Sequence, residues 1–157
     1  MAAGACCTRQ SLAQGEAPVI AVAEIQYIDT SGEVLDQTAD HFRRLREFEG
    51  SLRTDLTASG KLQNVALDCP PNACSIGDID ADRLLDKAQA AGAGYLLISS
   101  FHKLSTLVQW GDVQLLDLEA NKVLFRQNVT FRGDTDEAFS RAAAFVGESV
   151  RDAMEKR

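Results

Sequence analysis

Histidine is nearly absent: His41 and His102 are the only two in 157 residues. That leaves little material for a histidine-built metal cage or a catalytic triad, because both need an imidazole set beside further ligands or a nucleophile. Long apolar runs are missing too. None reaches the roughly 18 residues a membrane-crossing helix needs, so no membrane span is expected. Positive charge is outnumbered, with 16 Lys and Arg against 23 Asp and Glu and a net charge of −7. An acidic chain repels phosphate backbones and anionic lipid, which removes nucleic acid from the expected partners. There is no G-x-S-x-G elbow, and Gly92-Ala93-Gly94 runs into a strand pattern rather than a helix start, so it is no phosphate cradle. No catalytic residue and no cofactor is assigned, and the chain is read as a non-enzyme.

One acidic pattern comes near a known motif. Asp78, Asp80 and Asp82 form D-x-D-x-D, the opening of a calcium loop. Such a loop needs glycine at its sixth position and glutamate at its twelfth, and Arg83 and Gln89 stand there instead. The trio is read first as helix capping and dipole compensation, and second as a weak cation site.

Cysteine is also scarce, at four residues: Cys6, Cys7, Cys69 and Cys74. Cys69 and Cys74 flank a proline-stiffened loop, Pro70-Pro71-Asn72-Ala73. As a disulfide the pair closes a short loop, for which the chain-entropy model gives about 2 kcal/mol. Two free buried thiols, or half of a metal site, are the alternatives. A disulfide implies an extracytoplasmic home, periplasmic or secreted. Residues 1–18 lack periodicity and read as a flexible tail or the remnant of an export leader. Cys6 or Cys7, after Ala3-Gly4-Ala5, is a candidate lipid-anchor position.

What the chain has in quantity is patterned hydrophobicity, 45% of residues, enough for one domain over residues 19–157. Val19 to Ile28 is almost continuously apolar and reads as one strand buried on both faces. Phe42, Leu45, Phe48, Leu52 and Leu56 make a helical stripe that ends at Gly60. A short strand follows near Gln63–Leu67, then a helix over 81–91 capped by Asp78 or Asp80, then a strand at Tyr95–Phe101. Two strands come next. In the first, Leu107–Asp117, apolar parity flips near Gly111, which predicts a bulge there. The second, Val123–Arg132, alternates with Val123, Phe125, Val129 and Phe131 on one side. A last helix shows Ala138, Phe139, Ala142, Phe145, Val146 and Val150 as its apolar positions. The order is β-α-β-α-β-β-β-α: an α/β sandwich with a mixed five-stranded sheet and three helices mainly on one face.

Four stretches carry a resemblance to known families. They are Val19-Ile-Ala-Val-Ala-Glu-Ile with Asp29-Thr-Ser; the helix end Leu56-Thr-Ala-Ser-Gly60; Ala91-Gly-Ala-Gly-Tyr-Leu-Leu; and Val113-Gln-Leu-Leu-Asp-Leu-Glu-Ala-Asn-Lys-Val-Leu-Phe125. Together they resemble the TolB amino-terminal-like and CsgG-like domains of bacterial envelopes, and small periplasmic families of unknown function. The resemblance covers about residues 19–150. It implies an envelope location and a non-enzymatic, protein-interacting role. A complete fold with no catalytic set points, separately, to an accessory module whose partner is an envelope protein or a second copy, as a homodimer. The resemblance carries over no binding residues.

The richest candidate surface is the segment Phe101 to Trp110. Phe101, His102, Leu104 and Trp110 are the candidate partner-binding residues, through this hairpin or a free sheet edge. The competing reading puts the apolar ones under the long helix. His102 shares strand parity with Leu96 and Ile98 and is expected to be half-buried; His41, on a polar helix face, is expected to be exposed.

Overall fold

A computed structural model describes residues 15–157. The expectations for Cys6 and Cys7 fall outside the described residues. The elements run β1 (Val19–Val22), β2 (Gln26–Asp29), α1 (Thr38–Thr57), β3 (Gln63–Val65), α2 (Ala81–Ala90), β4 (Tyr95–Ser105), β5 (Val108–Asp117), β6 (Lys122–Arg132) and α3 (Asp136–Glu155). They form a mixed α/β sandwich on one six-stranded sheet of order β3-β1-β4-β5-β6, with β2 paired to β4 beyond the end of β1. β1 runs parallel to β3 and β4, as βαβ crossovers require, and β4, β5 and β6 make an antiparallel meander.

The sixth strand exists because the first apolar run is broken. Val22 lies opposite Leu97 and Gln26 opposite Ser100, so four steps on one chain match three on the other. The break is held by side chains. Both oxygens of Glu24 accept backbone N–H groups of the cysteine loop, from Asn72 at 2.9 Å and Cys74 at 2.8 Å. The N–H of Ile25 leaves the sheet ladder and donates to Glu49 Oε1 of α1 at 2.9 Å. A buried N–H must find an acceptor somewhere, and here a carboxylate replaces the neighbouring strand.

The helices do not share one face. α1 and α3 pack together over Ile20, Leu97, Phe101, Val113, Leu115 and Val129. α2 lies on the opposite face with the cysteine loop, over Ala21, Ala23, Leu96 and Leu118. Two stripe residues point outward, Phe42 on α1 and Phe145 on α3, and the buried face of α1 includes His41 and Glu49 instead of Phe42. Gly60, with φ 70°, ends the α1 segment as expected.

The predicted bulge at Gly111 is not there. Gly111 pairs regularly with Phe101 on one side and Val129 on the other. Its lack of a side chain serves packing: a Cβ would overlap the Phe101 ring and lie 2.9 Å from Ser100 O. The register shifts lie elsewhere, at Leu104 and at Leu124. Leu115 faces Phe125 and Leu116 faces Val123, so Leu124 is the extra residue. It turns partly inward and sends Val123 out to solvent, against the expected alternation.

Candidate functional site

β4, β5 and β6 are about twice as long as α2, so α2 covers only the start of this meander on its side. Beyond Ile98 no helix of the described residues covers that face. In register across it run His102, Trp110 and Thr130, then Ser100, Asp112 and Asn128, then Ile98, Gln114 and Arg126. Trp110 is 40% exposed at the centre of the first row. Asp112 anchors the second row, with Oδ1 accepting from Arg126 Nε at 3.0 Å and Oδ2 from Gln114 Nε2 at 2.6 Å. His102 is half-buried, its Nε2 2.6 Å from Thr30 Oγ1 at the β2 border.

Of the four residues singled out on the segment, the sheet separates one. Phe101 has the opposite parity, is fully buried, and stacks edge-on against Phe48 and Phe131. It is a core residue. His102 and Trp110 are cross-strand neighbours, and Leu104, the bulged residue near the hairpin tip, is exposed. β6 closes the sheet as an 11-residue strand with one unpaired edge, and its exposed side chains include Lys122, Arg126 and Arg132.

The three aspartates are parted by their local tasks. Asp80 caps α2 by accepting Arg83 N at 2.9 Å, and Asp82 is exposed in the first turn. Asp78 accepts Ser75 N at 3.1 Å and stabilises the preceding turn. Among the described residues no group of three or more His, Cys, Asp or Glu side chains is placed to hold a metal ion. Cys69 and Cys74 are joined by a disulfide, with Cα atoms 5.7 Å apart.

A second constellation, which the sequence reading missed, lies on the α1 side. Lys103 is fully buried with its Nζ against Glu33, Gln37 and Asp134, the last at 2.7 Å. His41, expected to be exposed, is 4% exposed, with Nε2 2.9 Å from Asp134 Oδ2. Arg44 Nη1 completes the set 2.7 Å from Asp134 Oδ1. Burial opposes ionisation of Asp134, but hydrogen bonds from Lys103 and His41 outweigh it and hold the carboxyl below its ordinary value. Tyr27 packs on His41, ring centroids 4.8 Å apart, and donates to Gln109 Oε1 at 3.1 Å. Burial, with the Asp134 and Asp29 charges, pushes its phenol well above the usual range. One signal was legible: Lys103 shares strand parity with Leu97 and Phe101, and a lysine at a core-facing strand position needs carboxylate partners.

Beside this cluster, between β2, the N-terminal half of α1 and the cysteine loop, opens a cleft of about 560 Å³. The segment 33–38 forms one wall, and Asn72, Ser75, Gly77 and Asp78 another.

Sheet order, two helices on one face and one on the other, and the broken first strand define the class: an α/β sandwich of the TolB amino-terminal-like type. The chain belongs to the family DUF3280, described as "Protein of unknown function (DUF2380)", which matches residues 18–149. The fold is similar to TolB from Acinetobacter baumannii (TM-score 0.51, 22% identity over 89% of this chain), of which the chain spans only 28%. It is similar to the PelC dodecamer from Paraburkholderia phytofirmans (TM-score 0.53, 15% identity, 87% of this chain and 86% of that one). It is also similar to the LpoB C-terminal domain from Salmonella enterica (TM-score 0.53, 17% identity, 73% and 82%). At these identities the likeness is one of fold. No curated protein matches the sequence.

Proposed function

We propose that this protein is a non-catalytic interaction module of the bacterial envelope that docks a protein partner on the bare face of β4–β6, with Trp110 as the anchor. The observation that carries the reading is the exposed Trp110 at the centre of a three-strand face that no helix of the described residues covers. A partly exposed indole on a sheet face is the kind of group that dominates interface energetics. Leu104 extends the apolar part toward the hairpin tip.

Charge favours a different protein over a second copy. The free edge carries Lys122, Arg126 and Arg132 on a chain of net charge −7. Two such edges laid side by side would set like charges against each other, the arrangement by which natural edge strands resist self-pairing. An acidic partner surface with an apolar recess fits instead. The envelope setting is supported by the Cys69–Cys74 disulfide and by the fold shared with TolB and with a lipoprotein, GNA1162 from Neisseria meningitidis (TM-score 0.50, 13% identity). The dodecamer among the neighbours is why self-association is measured alongside.

The test is site-specific photo-cross-linking in the native cell from position 130, the exposed cross-strand neighbour of Trp110, with position 83 on α2 as control, read together with sedimentation of the purified chain. The reading expects a discrete adduct from position 130 and none from position 83, reduced about tenfold or more when Trp110→Ala is introduced into the chain that carries the cross-linker at 130. An adduct recovered equally by Trp110→Ala removes the face from consideration. A dimer in sedimentation that Trp110→Ala dissolves would replace the partner by a second copy.

A further inference from the structure

β6 ends the sheet, and its outer edge runs over 11 residues. A strand directs half of its backbone groups to each side, and β6 has only β5 to receive them. Among the described residues no other backbone group or side chain takes up the outer row. Such a row is a ready template for another strand.

The seam between this edge and α3 is not filled. Two hollows follow one another along it, because α3 returns antiparallel to β6. One, of about 240 Å³, lies between residues 129–132 and Arg141 and Phe145 of α3. The other, of about 490 Å³, lies between Leu124, Phe125 and Gln127 and the C-terminal end of α3. Phe145 is 49% exposed, and Leu124, Phe125 and Phe131 are only partly buried. An added strand puts every second side chain over the seam, so apolar residues about four to six positions apart would reach both hollows.

The charge of this border is opposite to that of the whole. Lys122, Arg126 and Arg132 stand along β6, and Arg141, Lys156 and Arg157 along α3 and its end, six of the 16 Lys and Arg in a chain of net charge −7. Arg126 pairs with Asp112, and Arg157 donates to Tyr95 Oη. Lys122, Arg132, Arg141 and Lys156 have no carboxylate within ion-pair distance among the described residues. Of the α3 carboxylates only Asp152 lines either hollow, which leaves the balance positive. Edge cations repel a second copy of the same edge. Facing an acidic strand, the same charges attract.

We infer that the outer edge of β6 takes up an extended acidic segment of a partner protein as an added strand, with apolar side chains of that segment in the two hollows against Phe145 and its carboxylates against Arg132, Arg141 and Lys156. Backbone hydrogen bonds then supply affinity, and the hollows and the charge supply selectivity. The hollows open on the α3 side of the sheet, opposite Trp110, so this site does not depend on the face proposed above.

The probe is the peptide amide Asp-Val-Glu-Val-Asp-Val-Glu-Val-Asp with fluorescein at its N-terminus, titrated into the full chain and read by anisotropy. Three other peptides accompany it: one with Lys at every acidic position, one N-methylated at the Val amides, and one N-methylated at the inner acidic amides. The protein variants are Phe145→Ala, the pair Arg132→Glu with Arg141→Glu, and Trp110→Ala, with circular dichroism to check folding. The inference expects the acidic peptide to bind and the Lys peptide to bind about tenfold or more weakly. One N-methylated form should fail and the other bind, because alternate amides of an added strand face β6. Phe145→Ala and the double variant should each lose about tenfold in affinity, with Trp110→Ala unchanged. Amide exchange should slow at every second residue of β6 when the acidic peptide binds. No binding of the acidic peptide through the millimolar range would overturn the inference. So would equal binding of the Lys peptide, N-methylated forms that behave alike, or a loss in Trp110→Ala that Phe145→Ala does not share. Protection of the outer β6 amides that grows with protein concentration alone would overturn it in favour of a second copy.

Discussion

At the scale of single residues, the most consequential placement is a lysine inside the sheet. Lys103 is fully buried, and a buried ammonium is tolerated only when carboxylates and hydrogen bonds replace its water. Asp134 is the hub: it takes hydrogen bonds from Lys103, His41 and Arg44 and thereby ties β4 and α1 to the turn before α3. The direction of its shift sets a pH dependence. A carboxyl depressed by folding favours the folded state above the ordinary carboxylate value of about 3.9, and that contribution is lost as the pH falls through the depressed value. Glu33 and Asp29 are lowered as well and act in the same sense. Asp134→Asn is therefore expected to melt well below the parent at pH 7, with the gap narrowing as the pH falls below about 4. Thermal melts of both proteins across that range check it; a gap that stays constant would mean the hub acts through shape alone.

At the scale of elements, the meander shows why apolar pattern is an incomplete guide to register. The parity of β5 pointed to a bulge at Gly111, yet the strand passes through it in regular pairing. Glycine is there because the Phe101 ring occupies the place of a side chain. Gly111→Ala should consequently cost about 2 kcal/mol or more, because neither an aromatic ring in the core nor the Ser100 carbonyl can retreat cheaply. Urea unfolding measures it, and a loss below about 0.5 kcal/mol would show that the sheet can give way there. The bulge at Leu124 and the break before Gln26 share one cause. Each extra residue is held by contacts from elements far away in sequence, Glu49 in the second case, so local pattern carries no trace of it.

At the scale of the whole molecule, the cysteine loop is a clasp across the break between β1 and β2. Glu24 accepts two of its N–H groups, and the loop walls the cleft with Asn72, Ser75, Gly77 and Asp78. Protein taken from its native cell with thiols trapped is expected to weigh two protons less than the fully reduced chain over the peptide holding Cys69 and Cys74. Cys69→Ser should lower stability by about 2 kcal/mol. Mass spectrometry and urea unfolding read these outcomes; two free sulfurs in native material would withdraw the support that the disulfide gives to an envelope setting. The uncovered sheet face is likewise a property of the whole, because it depends on α2 being shorter than the strands beneath it.

The sequence alone determined the α/β class, the element order apart from the split of the first strand, the stop at Gly60 and the parity of His102, and it narrowed the α2 cap to Asp78 or Asp80, because each depends on spacing within one segment. It also singled out Trp110. It could not place Phe101 in the core rather than on the candidate surface, nor bring His41 and Asp134 together across 93 positions. Those outcomes depend on which faces of distant segments meet. Folding alone decides that: it buries the apolar faces first and leaves each enclosed charge to take whatever partner the packing has put within reach.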